Sequence, residues 1–277
     1  MVRSYSRKLT SIAEAYSRFG EADFSLYYKN LMVRSCCGYN SHSLKLIDIG
    51  CGDGHPVIDW VDDMSVSSLI GFDKRVELIE KASSVSSSKE GGGSAAFQCC
   101  DLDTEEGRQF FDSLLVDRSY DTATCNFSLM KFGDLTKVIA AVAKKLHHNG
   151  VFAFATFGGD TDKELRRIQY HATSTVRNPQ GIFPLEVEEQ APSVYGYENT
   201  FLHSFSHIQF VQFCNRLVFP SPDLFVDYYM MTELGRATAK IVPSLKYKML
   251  FAARELYGRK VIVTKTIDIA LCSEKKV

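Results

Sequence analysis

Three glycines and three carboxylates carry most of the chemistry legible in this chain. Gly50, Gly52 and Gly54 alternate in D-I-G-C-G-D-G, directly after the apolar run Leu46, Ile47 and Ile49. Glycine tolerates positive φ and has no Cβ, so such a turn lets backbone approach a ligand closely. Asp48 lies just before the turn, and Asp73 follows about 20 residues beyond it, where a strand-end carboxylate meets ribose hydroxyls in nucleotide sites. Asp101 occupies the same kind of position after a third apolar run. A dinucleotide fingerprint, G-x-G-x-x-G, would require glycine where His55 stands. No G-x-x-x-x-G-K-[ST] phosphate loop is present, and no lysine follows the glycines. Strand, glycine turn and helix together make the nucleotide-site arrangement of a doubly wound α/β sheet.

Such residues need a frame. The run 46–49 reads as a strand, and Val57, Ile58, Trp60 and Val61 predict a helix from His55 to Met64. Ser67–Phe72 is a second strand ending at Asp73, followed by a helix over K-R-V-E-L-I-E-K-A. Ala95–Cys100 leads as a third strand into Asp101 and Leu102, after a polar, glycine-rich loop at 83–94. Tyr120–Phe127 is a fourth strand with Asn126, Phe127 and Ser128 at its carboxyl end. Leu135–Leu146 is a helix ended by Asn149-Gly150, and Val151–Thr156 a fifth strand. Ligands of open α/β sheets bind outside those carboxyl ends. Further on, helices are expected at Asp160–Ala172, Asp223–Leu234 and Leu245–Tyr257, with strands at Ile208–Phe213 and Val261–Cys272.

An acidic residue before G-x-G-x-G resembles motif I of the class I S-adenosylmethionine-dependent methyltransferases. The order of strands and strand-end acids over residues 46–157 is similar to that family throughout. The resemblance implies S-adenosyl-L-methionine as cofactor, held by Asp48, Gly50, Cys51, Gly52, Gly54, Asp73, Lys74, Asp101, Leu102, Asn126 and Phe127. Within that set Asp73 would take the ribose and Asp101 the adenine amino group. It also implies an α/β Rossmann-like fold: a seven-stranded mixed sheet with helices on both faces and an antiparallel edge strand. N-terminal helices and a helical lid after the fifth strand complete it. The tail, F-P-S-P-D-L-F-V-D-Y-Y-M-M-T-E-L-G and later G-R-K-V-I-V-T-K-T-I-D-I-A-L-C-S-E-K-K, looks like that of malonyl-acyl-carrier-protein O-methyltransferases and related small-acid carboxyl methyltransferases.

Bulk properties agree with one domain over 1–277. It divides into an N-terminal helical cap (1–43), a cofactor-binding core (44–157), a substrate lid (158–207) and C-terminal strands and helices (208–277). With 32 basic and 33 acidic residues the chain offers no basic face of the sort that phosphate contacts demand, so no nucleic-acid partner is expected. The N-P-P-[YF] signature of amino-group methylation is absent; Asn126-Phe127-Ser128 stands there. No apolar stretch approaches a membrane span, and the N-terminus lacks a signal-peptide block, which predicts a cytoplasmic location without membrane partners. The eight cysteines follow no secreted framework and no zinc spacing, so packed thiols and no metal are expected.

The acceptor is where the chain says least. The resemblance implies methyl transfer to a small-molecule or acyl-carrier-bound acid, with a carboxyl oxygen as nucleophile. Methylation at oxygen, nitrogen or carbon of another metabolite, and a non-catalytic cofactor-binding role, stay open. A carboxylate is ionised at pH 7 and needs no base; other nucleophiles would, and His55, His171 and His203 are the candidates by residue type. Tyr16, Tyr27, Tyr170, Arg177, Tyr195 and Tyr197 are expected to line a substrate site, the arginine through its bidentate fork.

Overall fold

The computed structural model describes the chain except residues 1–8, 10–11, 37–43, 62–65, 88–92, 129–131, 175–193, 243 and 277. Seven strands form one sheet: β1 (Leu44–Ile49), β2 (Val66–Asp73), β3 (Ser94–Cys99), β4 (Tyr120–Asn126), β5 (Leu146–Phe157), β6 (Phe205–Phe219) and β7 (Val261–Lys275), in the order β3-β2-β1-β4-β5-β7-β6. The first five pair in parallel, and β7 runs antiparallel to β5. Strand order reverses at β1, whose neighbours are β2 and β4; in open α/β sheets that switch point is where ligands bind.

Ten helices accompany them among the described residues: α1 (Ile12–Phe19), α2 (Phe24–Cys36), α3 (Val76–Ser87), α4 (Glu105–Leu114), α5 (Leu135–Lys145), α6 (Lys163–Thr173), α7 (Glu198–Leu202), α8 (Pro222–Met231), α9 (Glu233–Ile241) and α10 (Leu245–Tyr257). Side chains alternate across a strand, and β1 shows the result. Leu46 joins an apolar cluster with Tyr28 and Met32 of α2 and Ile79 and Ala82 of α3. Ile47 and Ile49 join another with Phe111 of α4 and Val138, Ile139 and Val142 of α5. Parallel strands buried on both faces read as continuous apolar runs, which is why β1 and β5 stood out in the sequence.

By internal packing the chain divides into two compact units. The core unit comprises Phe24–Phe157, Pro192–Phe213 and Ile267–Val277, and the second Met1–Asp23, Gly158–Ala191 and Cys214–Thr266. The second unit has its own apolar centre, built from Leu9, Phe19, Leu165, Leu217, Phe219, Phe225, Tyr228 and Met249. Among the described residues no helix is long and apolar enough to cross a membrane.

Four local expectations change. A helix is expected over 55–64; in its described part, 55–61, there is one 3₁₀ turn, Val57–Trp60. Val57, Ile58, Trp60 and Val61 are all buried, but the turn closes through three-residue hydrogen bonds, Asp59 N to Pro56 O and Val61 N to Ile58 O. Helix α5 stops at Lys145, and β5 begins at once. Tyr120 pairs with Leu146 but Thr122 with Val151, so 147–150 bulge out and Asn149-Gly150 lies inside the strand. The helix expected at Asp223–Leu234 is two. Thr232 is extended (φ −71°, ψ 157°), and its hydroxyl accepts from Gly235 N, capping α9. The antiparallel strand is β7, one place in from the edge, which β6 occupies.

Candidate functional site

A cleft of about 150 Å³ opens at the carboxyl ends of β1 to β4. Gly50 and Ser128 form one wall; Asp73, Lys74 and Arg75 form a second; Cys100, Asp101 and Leu102 form a third, with Phe72 and Phe132. All belong to the core unit.

The three glycines of the turn share one backbone region. Gly50, Gly52 and Gly54 have φ of +65°, +56° and +91°, the region where residues with a Cβ are strained. A Cβ on Gly50 would lie 2.4 Å from Ser128 Cβ, whereas one on Gly52 would meet only Leu78, at 3.9 Å. A Cβ on Gly52 would thus make only an ordinary van der Waals contact. Cys51 N donates to Phe72 O and Gly52 N to Asp73 Oδ2 (3.0 Å), which pins the turn to the end of β2. Asp73 is 6% exposed. Its Oδ1 accepts from Arg75 N (2.9 Å) and Arg75 Nε (3.3 Å). Each carboxylate oxygen has about two acceptor positions, so Oδ2 keeps one for a ligand hydroxyl. Asp101 Oδ1 accepts from Asp103 N, and its Oδ2 lies 4.0 Å from Lys74 Nζ. Helix α4 packs hard against this corner: a Cβ on Gly107 would lie 2.0 Å from Asp101 O.

Asp48 lies beneath the turn, 2% exposed, and accepts from Thr124 Oγ1 at 2.6 Å. Burial pushes its carboxyl up to about 7; the Thr124 hydrogen bond opposes this and the charge of Asp73 adds to it. The Cys100 thiol is pushed up to about 11, mainly by burial and further by Asp101 and Cys99.

Residues 40–191, just over half the chain, match the model of a family described as a methyltransferase domain. The chain belongs to that methyltransferase-domain family. Its members use S-adenosyl-L-methionine. Among relatives, malonyl-[acyl-carrier protein] O-methyltransferase of Bacillus cereus is 21% identical over 57% of this chain and 54% of its own. The uncharacterized methyltransferase YcgJ of Bacillus subtilis is 29% identical over 50% of each. The chain spans about half the length of the curated relatives it matches. The crystal structure of YcgJ superposes with a TM-score of 0.54 and 16% identity, covering 91% of this chain and all of that one. That of the [4+2]-cyclase SpnF gives 0.50 and 12%, over 91% and 84%. These likenesses show the fold.

Of the residues expected to hold the cofactor, this methyltransferase domain brings Gly50, Asp73, Lys74, Asp101 and Leu102 to the cleft wall. Gly52 is tied to Asp73. Asp48 and Cys51 are buried next to the turn, and Gly54 packs against Ile58 and Phe97. Asn126 ends β4, and Phe127 (φ +56°) packs between Phe24 and Phe157. Arg75, Ser128 and Phe132 were not foreseen. The only signal for Ser128 was its place after a strand end.

The histidines sit elsewhere. His55 is half-exposed and pairs with Asp59 at 3.1 Å; His171 pairs with Glu255 at 2.6 Å in the second unit; His203 is exposed at the end of α7. None lines the cleft. Among the aromatic candidates, Tyr27 lies against Phe213, Tyr195 against Phe210, and Tyr197 against Phe154 and Phe201. Tyr170 is 62% exposed. Tyr16 belongs to the second unit, where burial holds its hydroxyl well above the usual tyrosine range. Arg177 lies outside the described residues.

Proposed function

We propose that this chain binds S-adenosyl-L-methionine in the cleft and transfers its methyl group to a carboxyl oxygen of a small or acyl-carrier-bound acid. The family match over 40–191, with a positive-φ glycine turn locked to Asp73, carries the cofactor half of the reading. The residues suit that group. Gly50 and Gly52 present bare backbone, Asp73 retains acceptor capacity for ribose hydroxyls, and Asp101 with Leu102 offers one polar and one apolar neighbour for adenine. The cofactor, when bound, supplies an already activated methyl on a sulfonium. The protein's part is to bind, align and exclude water.

The acceptor half is supported by chemistry of the chain and by one relative's name. The matched enzyme of Bacillus cereus is called a malonyl-[acyl-carrier protein] O-methyltransferase. No histidine stands at the cleft, which suits a nucleophile that is already ionised. The lid assigned to 158–207, the aromatic candidates and Arg177 remain part of this reading, as does a cytoplasmic setting. Balanced charge argues against nucleic acid.

A second reading, cofactor binding without methyl transfer, is favoured by one observation: a structure of the same fold is that of a cyclase. Fold does not fix function. Calorimetry with S-adenosyl-L-methionine tests the first half, and transfer of labelled methyl into a fractionated cell extract the second. Binding without any transfer would favour the cyclase-like alternative.

A further inference from the structure

The balance of charge over the whole chain conceals a local excess. Residues 236–260, which run from within α9 through α10 in the second unit, hold seven basic side chains and a single acid, Glu255. Two of the cations are matched by acids of α8: Lys246 pairs with Asp227 at 2.9 Å and Arg254 with Asp223 at 3.3 Å. Glu255 takes His171 of α6 at 2.6 Å. Arg236, Lys240, Lys248, Arg259 and Lys260 make no ion pair among the described residues. Helix α10 is also apolar on two sides. Leu245, Met249, Ala252 and Ala253 are buried in the unit's own centre, as the apolar stripe of a surface helix should be. Tyr247 and Phe251, one turn apart on another face, are 76% and 65% exposed, where a surface helix ordinarily carries polar residues. With Tyr170 of α6 they are the three most exposed aromatic side chains among the described residues. The His171–Glu255 pair joins α6 to α10 one turn beyond Phe251.

We propose that the outer face of α10 docks this protein on an anionic lipid surface, with Tyr247 and Phe251 set into the headgroup region and the flanking cations over lipid phosphates and carboxylates. A helix with exposed rings among lysines and arginines lies in the plane of a bilayer. Tyrosine suits that depth because its ring is apolar and its tip polar. Each cation near an anionic leaflet contributes about fivefold in affinity. Other occupants fit this chemistry less well. A second copy would set like charges against each other. Protein interfaces are depleted in lysine, and three of the five cations without an ion pair are Lys240, Lys248 and Lys260. The sequence-based expectation of no membrane partner rested on spanning stretches, which a helix lying on a surface does not need. This docking is independent of the methyl-transfer reading.

Cosedimentation of the full chain with vesicles tests it. One set is phosphatidylcholine alone and the other phosphatidylcholine and phosphatidylserine in equal parts. The expected result is binding to the serine vesicles at least about tenfold tighter than to the neutral ones, the effect of two or more cations. It should be lost between about 0.1 M and 1 M salt, as the screening length falls from about 10 Å to about 3 Å. Two double variants, Tyr247→Ser with Phe251→Ser and Lys240→Gln with Lys248→Gln, should each weaken binding at least about tenfold and keep the wild-type thermal midpoint. All four side chains lie outside the cleft, and the wild-type salt dependence carries the test even if a variant failed to fold. Equal binding to both vesicle sets, or to neither, would overturn the proposal. So would serine-vesicle binding that survives both double substitutions, since the surface would then lie elsewhere. Binding of polyglutamate or of a single-stranded oligonucleotide that depends on Phe251, without vesicle binding, would assign the face to an acidic protein or a nucleic acid and overturn it equally.

Discussion

Gly50 and Ser128 are 78 positions apart in the chain, yet the Ser128 hydroxyl donates to Gly50 O at 2.9 Å, and a methyl group on Gly50 would strike Ser128 Cβ at 2.4 Å. A Cβ on Gly52, two residues on, would meet only Leu78, at an unstrained 3.9 Å. The two glycines should therefore fail differently. Gly50→Ala combines left-handed strain of about 1–2 kcal/mol with overpacking of about 1–3 kcal/mol, and should lower stability by roughly their sum. Gly52→Val carries the strain alone; it should stay folded and lose S-adenosyl-L-methionine. Denaturant titration and calorimetry on both variants check the contrast, and unchanged cofactor binding by Gly52→Val would remove the turn from the site.

Asp73 ties three backbone and side-chain donors together and keeps capacity for a ligand. Asp73→Ala should cost about 1.5–3 kcal/mol of cofactor binding, or roughly ten- to over a hundredfold. Arg75 is half-exposed, and its ion pair with Asp73 is worth at most about 1 kcal/mol, so Arg75→Ala should weaken binding by less than about fivefold. Equal losses from the two substitutions would mean that Arg75 touches the cofactor itself.

The buried carboxyl of Asp48 makes stability depend on pH in an unusual direction. Folded Asp48, near 7, keeps its proton where the unfolded chain, at about 3.9, has lost it. The native state then binds more protons than the unfolded one, so this contribution falls as pH rises from about 4 to about 7. Asp48→Asn can still accept from Thr124 and has nothing to titrate. Its stability should gain on wild type between pH 5 and pH 8 in denaturant titrations. Parallel curves would mean that the carboxyl is already ionised at pH 5.

Methyl groups on a carboxyl oxygen are esters and should be released by mild alkali, whereas N-, C- or ether-linked methyl groups survive it. Labelled product that resists alkali, or that stays with macromolecules, would defeat the carboxyl assignment and leave the cofactor site standing.

What could be read in the chain beforehand followed from residue type and near spacing. Asp48, the three glycines, Asp73 and Asp101 each announce themselves within a few residues of an apolar strand. Ser128 and Phe132 do not, because their value depends on β4 lying beside β1, a pairing the local sequence never states. Histidine is titratable, a property that says nothing of position, and His55, His171 and His203 stand away from the cleft. Tyr27 and Tyr28 show the limit most sharply. They are adjacent on α2 and equally aromatic, and apolar spacing could not tell which one is fully buried. A Thr-Glu-Leu-Gly cap split one expected helix into α8 and α9 because its threonine lay within an otherwise continuous apolar pattern.

The pairing of β5 with β7 also has a consequence during synthesis. Phe152 pairs with Cys272 and Phe157 with Ile267, so one side of the apolar run V-F-A-F-A-T stays unpaired until β7 leaves the ribosome. At typical elongation rates that interval is on the order of ten seconds. An open, apolar strand edge is a template for joining other chains. A chaperone that shields nascent chains should therefore affect the yield of this protein more than its final stability.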